Sequence, residues 1–92
     1  MESFDPPASS PAKVTVYGTS WCAGTRLVRA YLDRLGILYE YRDMDQDPGA
    51  ERQVRWWTGG DASHPTLKVE GEILIEPRNS DVQLVLARHG LL

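Results

Sequence analysis

The chain has 92 residues, with 10 basic and 13 acidic side chains and a net charge of −3. That length allows one domain, which buries roughly 60% of the surface exposed by the unfolded chain and so holds one modest core. Hydrophobic residues at 41% and charged residues at 25% are ordinary globular values, which argues against general disorder. No apolar run reaches the ~20 residues that span a bilayer, and Met1–Pro7 lacks the basic and apolar pattern of a secretion signal. A cytoplasmic protein without membrane contact is expected. The basic residues, mostly arginine, are scattered among acids, so no nucleic-acid partner is expected. A lone cysteine, Cys22, forms no intrachain disulfide, which fits a reducing compartment. With two histidines beside it, no metal site within one chain is expected.

Residues 1–12 hold Pro6, Pro7, Pro11 and three serines, and read as a flexible lead-in to a domain over residues 13–92. Lys13–Tyr17 is β-branched and aromatic and closes at Gly18, the pattern of a strand that runs into a loop. After that loop, Leu27, Val28, Tyr31, Leu32 and Leu35 recur at helical spacing until Gly36. A second strand is expected over Ile37–Arg42. Asp47-Pro48 then places an acidic N-cap before a proline at the first helical position, and the helix presents Ala50, Val54 and Trp57 before Gly59-Gly60. Trp56 and Trp57 both read as helix packing. Thr66–Val69 and Ile73–Ile75, joined through Glu70-Gly71-Glu72, read as an antiparallel hairpin. Asn79 or Ser80 is the expected cap of a last helix carrying Val82, Val85, Leu86 and His89. The order βαβαββα predicts an α/β fold of thioredoxin-like type, with a four-stranded mixed sheet and helices on both faces.

Cys22 falls where the first strand hands over to the first helix. Unpaired backbone N–H groups and the helix dipole favour negative charge there, so its thiolate gains over the thiol. Thr25, three residues on, faces the same way and can donate a hydrogen bond to the sulfur. Two other patterns fail. Asp43, Asp45 and Asp47 open like a calcium loop, but the glycine comes one position late and Val54 stands where the closing glutamate is needed. Gly18 and Gly24 lack the spacing and the following lysine of a phosphate loop.

Four segments, Thr15-Val-Tyr-Gly-Thr-Ser-Trp-Cys22, Asp43-Met-Asp-Gln-Asp-Pro48, Gly59-Gly60 and His64-Pro65-Thr66, resemble the glutaredoxin family, most closely its mycoredoxin branch. The resemblance spans about residues 13–89. It implies a thiol–disulfide oxidoreductase of cell redox homeostasis, with Cys22 as nucleophile and Thr25 beside it. It further implies a cis Pro65 flanking the sulfur, with His64 offering backbone groups to substrate and Trp21 walling the site. The implied partners are mixed-disulfide proteins and a low-molecular-weight thiol, glutathione, mycothiol or similar, as co-substrate; no permanently bound cofactor is implied, and a monomer is expected. Arg26, Arg29 and Arg78 are candidates to pair with carboxylates of that thiol, Arg78 foremost.

The chain departs from the family pattern at three points. Cys22-Ala-Gly-Thr25 replaces Cys-x-x-Cys, making a monothiol site that also differs from the Cys-Gly-Phe-Ser of cluster-carrying relatives. Ser63-His64 stands where Thr-Val is usual. Glu76-Pro77-Arg78-Asn79 occupies the place of a small, polar thiol-binding loop. Two alternatives therefore accompany the oxidoreductase: an iron–sulfur cluster held between two chains, and a binding module without turnover.

Overall fold

The computed structural model describes residues 12–92; the lead-in expected over residues 1–12 lies, apart from Ala12, outside the described residues. Seven elements follow one another: β1 (Val14–Gly18), α1 (Ala23–Arg34), β2 (Glu40–Asp43), α2 (Pro48–Thr58), β3 (Thr66–Val69), β4 (Glu72–Ile75) and α3 (Asn79–Arg88). The strands form one sheet in the order β2-β1-β3-β4. β1 runs parallel to β2 and antiparallel to β3, and β4 returns antiparallel to β3. Because α1 carries the chain from β1 back to the start of β2, those two strands can lie parallel.

Alternation along β1 divides the interior in two. Val14 and Val16 face one side of the sheet, where Leu67 and Val69 of β3 and Leu74 of β4 meet Val28 and Leu32 of α1 and Val82, Val85 and Leu86 of α3. The register places Val14 beside Val69 and Val16 beside Leu67, which makes that face continuous. Tyr17 points to the other side and packs with Met44, Ala50 and Val54, while Trp57 of α2 meets its ring edge-on at 5.3 Å. One helix thus covers the second face and two cover the first.

Helix ends follow the local chemistry with one exception. Asp47 caps α2 by accepting from the Ala50 N–H at 3.1 Å, and Gly59 closes that helix in the left-handed region at φ 82°. Asp47 also holds Arg42 at 2.6 Å, tying the end of β2 to the start of α2. At α3 the cap is Arg78 rather than Asn79 or Ser80. The Asp81 carboxylate reaches back to accept from the Arg78 N–H at 2.9 Å, so the backbone turns helical one residue early.

Other departures concern exposure. β2 starts at Glu40 instead of Ile37, and Leu38 is 87% exposed, because the chain leaves Gly36 and Ile37 before it meets β1. Trp56 is 81% exposed and does not pack in the helix interface as expected; only Trp57 turns inward. His89 is the C-cap of α3 and bridges Glu70 at 3.0 Å and Glu72 at 3.1 Å, clamping the hairpin. Among the described residues no helix is long and apolar enough to cross a membrane.

Gly18 links this frame to the loop before α1, since a Cβ there would overlap the Thr25 side chain. Thr25 is fully buried and has no room to retreat. Gly18→Ala is therefore expected to lower unfolding stability by about 2 kcal/mol in a urea titration, the usual scale for an overpacked interior. An unchanged midpoint would show that the contact yields freely.

Candidate active site

Thr19, Ser20 and Trp21 form a short loop between β1 and α1, closed by a bond from the Cys22 N–H to the Thr19 carbonyl at 3.2 Å. Cys22 is the N-cap of α1 in extended conformation, and its carbonyl accepts the first helical bond from Arg26. The N-cap is the position whose side chain ordinarily accepts from the N–H groups of the second and third helical residues. Those residues are Gly24 and Thr25; the neutral Cys22 side chain makes no cap hydrogen bond to them, but both N–H groups lie near enough to its sulfur to favour the thiolate. The Thr25 hydroxyl accepts from the Thr19 N–H at 3.4 Å, which leaves its own proton for the sulfur.

These groups decide the ionisation of Cys22. Partial burial pushes its pKa up, but the Thr25 N–H, the Thr25 hydroxyl, the His64 side chain and the Gly24 N–H together outweigh that and lower it from 9.0 to about 7. The protonated sulfur donates weakly to the His64 carbonyl, 3.9 Å away. That contact favours the thiol, whereas the more numerous donors favour the thiolate. At neutral pH about half the protein then carries a thiolate, against roughly 1% at the ordinary value.

His64 and Pro65 approach from the loop ahead of β3. Their peptide bond is cis. Thr66, fully buried, fixes the turn by donating its hydroxyl to the Ser63 carbonyl at 2.9 Å. The Pro65 carbonyl accepts from the Glu76 N–H at 2.8 Å, which joins this loop to the segment before α3. Gly24 permits the approach: a Cβ there would lie 3.2 Å from Pro65 Cδ and 3.7 Å from the sulfur. Trp21 is 64% exposed, meets the His64 ring edge-on at 5.1 Å and donates its indole N–H to Asp45 at 2.8 Å. Among the described residues, then, the structure brings Trp21, Cys22, Thr25, His64 and Pro65 into one cluster.

Arg78 stands at the rim of a groove of about 400 Å³ lined by Gly24, Leu27, His64, Pro65, Glu76 and Asn79, among others. Leu27 belongs to the apolar stripe of α1 in sequence, yet it is 67% exposed and turns to this groove rather than to the core. Arg26 and Arg29 do not join it. Arg26 bonds to the Ser20 carbonyl at 3.1 Å, and Arg29 lies 3.8 Å over the Tyr41 ring with its Nε donating to Tyr39. A groove of about 430 Å³ bordered by Gly36, Ile37, Leu38 and Leu91 shares no lining residue with the cluster. Among the described residues no group of His, Cys, Asp and Glu could hold a metal ion.

A four-stranded mixed sheet with a helix-capping cysteine opposite a cis-proline loop defines a thioredoxin-like protein. The solved thioredoxin-like protein BC3987 superimposes with a TM-score of 0.73 at 24% identity, covering 80% of this chain and 100% of its own. A glutaredoxin from Archaeoglobus fulgidus gives a TM-score of 0.75 at 17% identity, covering 91% and 96%. A buckwheat glutaredoxin–glutathione complex gives 0.63 at 22%, covering 87% and 72%. The glutaredoxin family model matches residues 14–74. A Mycobacterium tuberculosis protein provisionally named a glutaredoxin in two strains is 30% identical over 78 residues, 84% of this chain and 93% of that protein. The chain belongs to the glutaredoxin family.

Thr25→Val keeps the shape of the buried side chain and removes its hydroxyl. It is expected to raise the Cys22 pKa and slow iodoacetamide alkylation at pH 7 several-fold, while the rate above pH 9.5, where both proteins are ionised, stays about the same. A pH profile identical to that of the wild type would exclude the hydroxyl from the site's electrostatics.

Proposed function

We propose that the protein is a monothiol glutaredoxin that reduces mixed disulfides between proteins and a small thiol. The observation that carries this reading is the Cys22 sulfur at the start of α1, with its pKa brought to about 7 beside Pro65. The Cys22 thiolate attacks the small-thiol sulfur of the mixed disulfide. The sulfur–sulfur bond between the small thiol and the substrate protein's cysteine breaks, the released protein thiolate takes a proton, and Cys22 is left disulfide-bonded to the small thiol. A second small thiol, as thiolate, attacks the bound one, frees Cys22 and leaves as the symmetric disulfide. No second cysteine in the chain competes for this step.

Each neighbour has a role in that cycle. The Gly24 and Thr25 N–H groups and the Thr25 hydroxyl hold the developing charge on sulfur, both as nucleophile and as leaving group. His64 and Pro65 border the groove in which the small thiol lies, and Trp21 packs edge-on against the His64 ring. Arg78 supplies a cation at the groove's rim for a carboxylate of that thiol, with added support from the N-terminus of α3. A thiol of the glutathione class meets these requirements, and a reducing compartment such as the cytoplasm would maintain its supply.

Turnover of a glutathionylated peptide, coupled to an external reductant of the resulting disulfide, tests the reading. Wild-type protein is expected to turn over and Cys22→Ser to fall to background, a loss of at least about 100-fold. Equal rates would refute the assignment of Cys22 as nucleophile.

A further inference from the structure

Beyond Trp21, a second recess of about 150 Å³ lies against the cluster, lined by Thr19, Trp21, Met44, Asp45, Glu51, Ala62 and His64. His64 borders both this recess and the Arg78 groove, so the two flank the nucleophile. Thr19 is 3% exposed, and among the described residues neither its Oγ1 nor the buried His64 Nδ1 has a hydrogen-bond partner. Leaving two buried polar atoms unpaired is unfavourable, and a group that satisfies both is held firmly. The charges nearby have one sign on balance. Glu51 is neutralised by Arg55 at 2.9 Å, and Arg26 is turned to the Ser20 carbonyl. Among the described residues, the one side chain that donates to Asp45 is the neutral Trp21 indole N–H, and its carboxylate has capacity for another donor.

A hydroxyl, an imidazole and a carboxylate, those of Thr19, His64 and Asp45, thus belong to residues that line one small space beside the Trp21 indole ring. A primary ammonium has three N–H donors and a positive charge that an aromatic neighbour also attracts. We propose that this recess is a subsite for a lysine side chain of the protein substrate, next to the cysteine that carries the mixed disulfide. The inference rests on the mixed-disulfide reading above. The two arms of such a disulfide are then sorted by charge: the anionic small thiol lies toward Arg78, and the basic flank of the protein lies toward Asp45.

Two short peptides with serine in place of the target cysteine test this without any exchange chemistry, one with lysine beside the serine and one with norleucine. Each is titrated into the reduced full-length protein and followed by NMR. The lysine peptide is expected to shift the Thr19 and His64 resonances and to bind about fivefold more tightly than the norleucine peptide, the upper range for a partly exposed ion pair. Asp45→Asn, an exposed change that retains an acceptor for Trp21, should remove most of that difference, as should Thr19→Val. Identical shifts from both peptides, a lysine-dependent shift confined to the Glu76 side, or a preference intact in Asp45→Asn would overturn the proposal. Because the peptides cannot exchange, lysine binding by a protein that fails to turn over mixed disulfides would refute the oxidoreductase reading and still assign the recess.

Discussion

The site depends on a sulfur in the position of a helix cap. Every α-helix begins with N–H groups that lack partners inside the helix, and in α2 the Asp47 carboxylate takes one of them. In α1 the corresponding residue is Cys22, the first turn has no acidic residue, and the neutral thiol makes no cap hydrogen bond to the free N–H groups. Those groups are satisfied best when the sulfur is negative. The same local rule that ends a loop at α2 therefore makes a nucleophile at α1.

That arrangement sets what the surrounding fold must do. Thr25 has to keep its hydroxyl toward the sulfur, so it is buried against Gly18 and anchored by the Thr19 N–H. The loop with His64 and Pro65 has to come close without covering the sulfur, so Gly24 faces Pro65 and the Glu76 N–H holds the loop from behind. The sheet order brings these pieces together: β1, which delivers Cys22, is hydrogen-bonded to β3, which begins just after Pro65. Tyr17 beside Thr66 in that register puts the two chain segments at the same end of the sheet.

Much of this was legible before any coordinates, because it rests on local chemistry. Asp47-Pro48 marks a helix start by N-cap chemistry and fixed φ, and Gly59 marks its end by a left-handed φ; both hold. Cys22 after a strand and before an apolar helical period places a thiol at a helix N-terminus, and it is there. What failed was coverage. Periodicity puts Leu27 on the same face as Val28, but not how far the neighbouring sheet extends over that face, and Leu27 borders the groove instead. Trp56 and Trp57 are adjacent in sequence, and only Trp57 points to Tyr17. The cap of α3 depends on an Asp81 side chain folding back over Arg78, and the His89 bridge on a hairpin far away in sequence. Such features arise from tertiary placement, to which spacing along the chain is blind.

A direct reading of the Cys22 ionisation tests the central claim. The ultraviolet absorbance of the thiolate in reduced full-length protein, titrated with pH and corrected by the Cys22→Ser variant, reports it without a substrate or an alkylating agent. A midpoint near 7 is expected, with the thiolate fraction rising as pH climbs through that value. A midpoint close to 9.0 would contradict the account, because the N–H groups of α1 would then leave the sulfur no more acidic than a free thiol.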